Sequence, residues 1–199
     1  MKRSKISTWP CSLGILLCVI AVFPSAPAYP FSIGARAGVH DFSNDATRDF
    51  YGFAKGGTLL CTFYESRQFS VEAATGLFHS SINYNGSNQI LYVVPITVSF
   101  TLSFPMDGLK LIPYTGMGIG GWYKREESPT ARRSFNYITY GYHLIGGLKY
   151  PLTSGLSLLA DLRYCLIMTD LKEEMNISGV QTTVGVSYRL GQNSTNETR

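Results

Sequence analysis

LSLLADLRYCLIM, residues 156–168, reads as one strand with two unlike faces. From Leu156, every second residue gives Leu158, Ala160, Leu162, Tyr164, Leu166 and Met168, an unbroken apolar row. The intervening row holds Ser157, Leu159, Asp161, Arg163, Cys165 and Ile167, so both charges fall on the same face. Successive side chains of a strand point to opposite sides. A wholly apolar face backed by an opposite charge pair suits the wall of a closed barrel, with lipid outside and polar side chains inside.

The same period recurs along the chain. Segments 31–40, 55–64, 69–80, 90–104, 111–123, 137–150 and 178–190 all alternate. The cleanest is 90–104, where Ile90, Tyr92, Val94, Ile96, Val98, Phe100, Leu102 and Phe104 oppose Thr97, Ser99, Thr101 and Ser103. Adjacent Leu59 and Leu60 leave the facing of 55–64 open. No amphipathic helical period lies between the segments, which predicts an all-β chain of eight strands. The connections alternate in length: 65–68, 105–110 and 151–155 are short and built on turn residues, whereas 41–54, 81–89, 124–136 and 169–177 are longer and more polar. Short turns at one end and long loops at the other are the layout of an antiparallel up-and-down transmembrane barrel. Pro95 and the recurrent Ser and Thr argue against reading 90–104 as a membrane helix.

Residues 1–28 read as a cleavable signal peptide. Lys2, Arg3 and Lys5 are followed by the apolar run 13–23 and by Ala26-Pro27-Ala28, a small-x-small cleavage site. The run is shorter than the roughly 20 residues that span a bilayer. The expected organisation is therefore signal peptide 1–28, barrel 29–190 and polar tail 191–199. The formal net charge of +4, partly carried by that N-terminus, gives no nucleic-acid footprint. Cys61 and Cys165 remain after cleavage and are expected on non-adjacent strands with opposite facing, as isolated small apolar residues.

The 92–99 strand with Pro95, the Pro113-Tyr114-x-Gly116-x-Gly118-x-Gly120 strand, Asp161-x-Arg163-Tyr164 and the closing Gly185-x-Ser187-Tyr188-Arg189-Leu190 together resemble the OmpA- and OmpX-like eight-stranded outer-membrane β-barrel family. The resemblance covers residues 31–190. It implies a bacterial outer-membrane location, periplasmic termini and contact with outer-membrane lipid and lipopolysaccharide. It also implies handling by the barrel-assembly machinery and four surface loops that can meet a host or surface ligand.

Facing places Arg36, Glu72, Lys149, Asp161, Arg163 and Arg189 inside, with His40 and His143 nearby. An interior ion network of Arg36, Glu72, Asp161, Arg163 and Arg189 is expected, because buried charges persist when paired. Gly116, Gly118 and Gly121 formally match a dinucleotide-binding GxGxxG. However, the motif runs through a strand into a loop and opens no helix, so neither cofactor nor metal is expected. His79 and Ser81 have the His-x-Ser form of outer-membrane lipid A deacylases, with His79 as base and Ser81 as nucleophile. The KREESPTARR segment, 124–133, is expected to be a solvated mixed-charge loop. The function expected is a non-enzymatic structural or surface-interaction role in envelope integrity, adhesion or host contact. The alternatives are a lipid A-modifying enzyme, a narrow small-solute channel and a soluble lipocalin-like carrier.

Overall fold

A computed structural model describes residues 31–84, 87–128, 133–168 and 176–190. The expected signal peptide and the polar tail lie outside the described residues. Eight strands follow one another: β1 (Phe31–Phe42), β2 (Phe53–Glu65), β3 (Phe69–Tyr84), β4 (Ser87–Ser103), β5 (Ile112–Ser128), β6 (Arg133–Pro151), β7 (Leu156–Ile167) and β8 (Gly179–Leu190). Each pairs antiparallel with its chain neighbours, and β8 pairs with β1 from Phe31↔Leu190 to Phe42↔Gly179, closing the barrel. Closure leaves no strand edge unpaired, which a bilayer demands.

The two faces of β7 sort as their chemistry requires. Ser157, Leu159, Asp161, Arg163, Cys165 and Ile167 are buried, while Leu158, Leu162, Tyr164, Leu166 and Met168 are exposed. The other outward rows match: Ile96, Val98, Phe100 and Leu102 on β4, Phe104 just past its end, and Tyr140, Tyr142, Leu144, Leu148 and Tyr150 on β6, are all exposed. Water offers such a wall no partner; hydrocarbon does. Phe104, Tyr150 and Tyr188 mark the belt's short-turn end, and Phe53, Tyr140 and Tyr142 lie toward its loop end.

Four strands run further than their hydrophobic period. The expected loops 81–89 and 124–136 are largely paired, with Tyr84 opposite Ser87 and Ser128 opposite Arg133. Above the lipid both faces meet water, so polarity stops alternating although backbone pairing continues. The 41–54 loop also contains a helix, α1 (Asp45–Tyr51). The Asn44 side chain accepts from the Thr47 N–H, Asp45 occupies the first turn, and Gly52, at φ 64°, ends it. Seven residues are too few for a helical period to stand out.

Two local departures shape the wall. The β3–β4 register runs from Thr75↔Ile96 to Phe78↔Val93 with a gap at Pro95, which has no N–H for the ladder. The β2–β3 register shifts between Thr62 and Tyr64. This bulge settles β2: Thr58, Leu60 and Thr62 are buried, and Glu65 turns inward to meet Lys149 and Arg189.

Candidate functional site

The barrel interior is tiered. Mid-lumen, Arg36 from β1, Glu72 from β3, and Asp161 and Arg163 from β7 form one cluster, all buried. Arg36 Nη1 and Nη2 donate to the two Glu72 carboxylate oxygens at 2.8 Å each. Its Nε lies 2.8 Å from Asp161 Oδ2. Arg163 Nη2 donates to Glu72 Oε1 at 2.8 Å, and its Nε donates to Asp161 Oδ1 at 3.1 Å. The Tyr114 hydroxyl at 3.2 Å and the Thr183 hydroxyl at 2.9 Å donate to Asp161 as well. Two guanidinium groups and two carboxylates cancel in charge, and the paired geometry makes their burial tolerable.

Glycines give these side chains their room. A Cβ on Gly147 would sit 2.5 Å from the Tyr114 hydroxyl, and one on Gly185 would sit 2.8 Å from Arg36 Cγ. The glycine run of β5 serves the same end: a Cβ on Gly118 would lie 2.5 Å from the His143 ring. His143 Nε2 is 2.9 Å from the Ser99 hydroxyl, with Trp122 beyond it at 6.4 Å between ring centroids.

Arg189 stands apart from the central cluster. At the short-turn end Glu65 binds Lys149, and Arg189 Nη2 lies 2.9 Å from Glu65 Oε1. Strict alternation sets Glu65 in the outward row of β2, and the bulge reverses it; the sequence carries no plain mark of that bulge.

Toward the loop end the lumen turns apolar. Phe42, Tyr51, Ala54, Phe78, Leu91, Val93, Trp122, Cys165, Ile167 and Ile177 form one buried cluster. α1 seats Tyr51 in it, and the Ser80 hydroxyl donates to the Tyr51 carbonyl. His40, below, has Nε2 3.0 Å from the Ile177 carbonyl. The consecutive apolar residues 90–95 (ILYVVP) were the available signal, since both faces of β4 are apolar there. Small voids remain among the described residues. One of about 10 Å³ lies beside Trp122, His143 and Gln181, and one of about 50 Å³ beside Glu65, Tyr114 and Lys149; Arg163 borders both. A single water needs roughly 10–15 Å³.

The expected solvated loop 124–133 is in part strand, and its charges are sorted. Lys124 is buried, its Nζ 4.8 Å from the Tyr137 ring centroid and 3.6 Å from Glu126 Oε1, whereas Arg125 pairs outward with Glu127 at 2.5 Å. Residues 129–132 lie outside the described residues. Cys61 is partly buried on the outer face of β2 and Cys165 is buried inside β7; both are free.

His79 and Ser81 are exposed on the outer face of β3, the His79 ring 5.8 Å from that of Tyr92. Among the described residues no carboxylate pairs with either. Among the described residues, too, no group of three His, Cys, Asp or Glu could hold a metal.

A closed eight-strand barrel with an apolar outer belt and an ion-paired interior defines the class of integral outer-membrane β-barrels. The sequence matches the family described as outer membrane protein beta-barrel domain over residues 13–189, and the chain belongs to that family, whose members lie in the bacterial outer membrane. Among solved structures it is similar to Neisserial surface protein A (NspA), with 18% identity, 79% of this chain and 96% of that one covered, and a TM-score of 0.60. It is similar to OprG from Pseudomonas aeruginosa, with 16% identity, 81% and 96% covered, and a TM-score of 0.58. It also resembles Ail, the attachment invasion locus protein of Yersinia pestis, in complex with the heparin analogue sucrose octasulfate, with 13% identity, 80% and 96% covered, and a TM-score of 0.51. A search of curated proteins finds no match.

Proposed function

We propose that this outer-membrane barrel has a non-enzymatic structural and surface-interaction role, working through its outer wall and loop-end hairpins rather than its lumen. The observation that carries this reading is the filled interior. An apolar cluster occupies the loop end, a charge-neutral ion cluster the middle, and the voids are about 10 and 50 Å³. Measured against a single water, the first void has room for about one and the second for a few. What remains available is the exterior: the lipid belt, its rim, and the β3–β4 and β5–β6 hairpins that extend beyond it. The partners this implies are outer-leaflet lipid and lipopolysaccharide, the barrel-assembly machinery during biogenesis, and a surface or host ligand at the hairpins.

The rival readings are a lipid A-modifying enzyme and a narrow channel. His79 and Ser81 face the lipid, as a deacylase would need. However, they are two residues apart on one strand face, roughly 6.6 Å along it, and among the described residues no acid orients the His79 ring. The test has three readouts. Planar-bilayer recordings of the purified barrel should show no conductance steps. Cells with and without the protein should give the same lipid A mass spectrum. Replacing residues 82–89 by a Gly-Ser turn should reduce surface attachment while the barrel still folds. Regular conductance steps, or a changed acyl pattern abolished by His79→Ala, would replace this reading with the corresponding rival.

A further inference from the structure

One row of outward side chains crosses four strands near the loop end. The register pairs Lys55 with His79, His79 with Tyr92, and Tyr92 with Arg125. Each continues a lipid-facing row, above Gly57, Leu77, Val94 and Tyr123 respectively. Directly opposed residues on paired strands hold their Cβ atoms about 4.5–5.5 Å apart, so Lys55 and His79 form one patch against the Tyr92 ring.

The height of this row on the wall follows from β4. Tyr92 lies twelve residues from Phe104, which marks the short-turn end of the belt. At about 3.3 Å per residue this is roughly 40 Å along the strand. With a tilt near 40° it is about 30 Å of height, against an apolar band about 25 Å tall. The row therefore lies at the outer rim of the hydrocarbon, where headgroups begin.

These side chains have little protein to interact with. Among the described residues the Lys55 side chain makes no ion pair or hydrogen bond, and the His79 ring faces that of Tyr92. Asp41, the nearest acid on β1, is in register with Phe53 rather than Lys55. Arg125, at the far end, is already held by Glu127. A lysine at a membrane rim can lay its stem along apolar surface and hold its ammonium at headgroup level. The imidazole adds an N–H donor beside it, and the Tyr92 ring closes one side. An anion with several acceptor oxygens, presented by the surrounding leaflet, fits this set.

We propose that Lys55 and His79, flanked by Tyr92 and Arg125, bind the phosphate of an outer-leaflet glycolipid headgroup. The proposal rests on the outer-membrane reading above and gives a place to the lipid contact it invokes. It also gives His79 a binding role in place of the catalytic one.

The test uses the full mature chain refolded in detergent, with folding scored by heat-modifiable gel mobility. Native mass spectrometry then measures retention of phosphorylated lipid A and of the same lipid without its phosphates. The wild type should retain the phosphorylated lipid preferentially. Lys55→Gln should weaken retention roughly fivefold, the increment expected for one cation at an anionic membrane surface. Lys55→Gln with His79→Gln should weaken it further, and Lys55→Arg should preserve it. All variants should hold the dephosphorylated lipid equally. Equal retention of the phosphorylated lipid by wild type and double variant, or no preference for the phosphorylated lipid in the wild type, overturns the proposal. So does displacement by millimolar inorganic phosphate, which would make the site one for free phosphate. If the double variant does not fold, the comparison of Lys55→Gln with Lys55→Arg decides alone. Conductance and attachment are not read here, so a failure of the functional reading is scored separately.

Discussion

Arg36 and Glu72 meet across the lumen from β1 and β3 in a two-point contact, both N–O distances being 2.8 Å. Glu72 also accepts from Arg163, so this one carboxylate bridges two buried guanidinium groups whose second acid is Asp161. Replacing Glu72 by Gln leaves two guanidinium groups to share Asp161, one buried charge in excess. Breaking a buried pair from one side costs about 3–5 kcal/mol. Urea unfolding in lipid bilayers should show a loss of that size for Glu72→Gln. A loss below about 1 kcal/mol would mean that water screens the cluster.

Glu65 offers the contrast. It too joins two cations, but Lys149 and Arg189 are partly exposed at the short-turn end and can be solvated once released. Glu65→Gln should therefore cost less, about 1–2 kcal/mol. The same unfolding measurement ranks the two, and a Glu65 effect equal to that of Glu72 would contradict the difference in depth.

Phe78 is buried in the apolar cluster that fills the loop end. Phe78→Ala removes a ring that cannot be replaced without repacking, at about 3–5 kcal/mol. Hydrogen exchange should rise in the loop-end halves of β3 and β4 while the ion cluster stays protected. Uniform loss of protection would show instead that the tiers unfold as one.

Gly147 lies under the Tyr114 ring, which donates to Asp161. Gly147→Ala must displace that ring, at roughly 1–3 kcal/mol for an overpacked site. Combining it with Tyr114→Ala should recover part of the loss. If the double variant shows purely additive losses, the glycine is there for some other reason.

Tyr51, on α1, has its phenol pushed up to about 12 by burial and, to a lesser degree, by the charge of Glu126. A raised value means the neutral phenol is the form the loop holds. Its contribution is complete below pH 10 and is lost as pH climbs toward 12. Absorbance titration should show a late step belonging to Tyr51, with α1 leaving its seat over the same interval. Tyr51→Phe should remove that late step and keep α1 seated through it.

How much of this was legible in the sequence depends on what reports each feature. Lipid-facing rows announce themselves because one face is uniformly apolar, and β4 and β7 could be read residue by residue. Arg36, Glu72, Asp161 and Arg163 follow from the opposite face, since a charge in a transmembrane strand has only the lumen to enter. The partner of Arg189 did not follow, because it depends on a one-residue slip at Thr62/Tyr64 that the alternation of β2 conceals. The strand extensions to Ser128 and Arg133 were hidden for a different reason. Outside the bilayer no solvent contrast writes a period into the sequence, and only backbone pairing carries the strand on. The apolar loop end was readable in 90–95, where outward and inward rows are both apolar, but α1 could not be foreseen.

The contact between Arg36 and Asp161 joins the first transmembrane strand to the seventh. Neither side chain can find the other until β8 has zipped onto β1. A partly inserted sheet would leave Arg36 with Glu72 alone and Asp161 with Arg163 and its β8 neighbour, each short of one partner at membrane depth, where missing pairs are costly. Assembly is thus subject to a fidelity check: the open intermediate is penalised, and only the completed cylinder discharges the penalty. The charges at the centre of the barrel act as a latch that distinguishes a finished ring from an unfinished one.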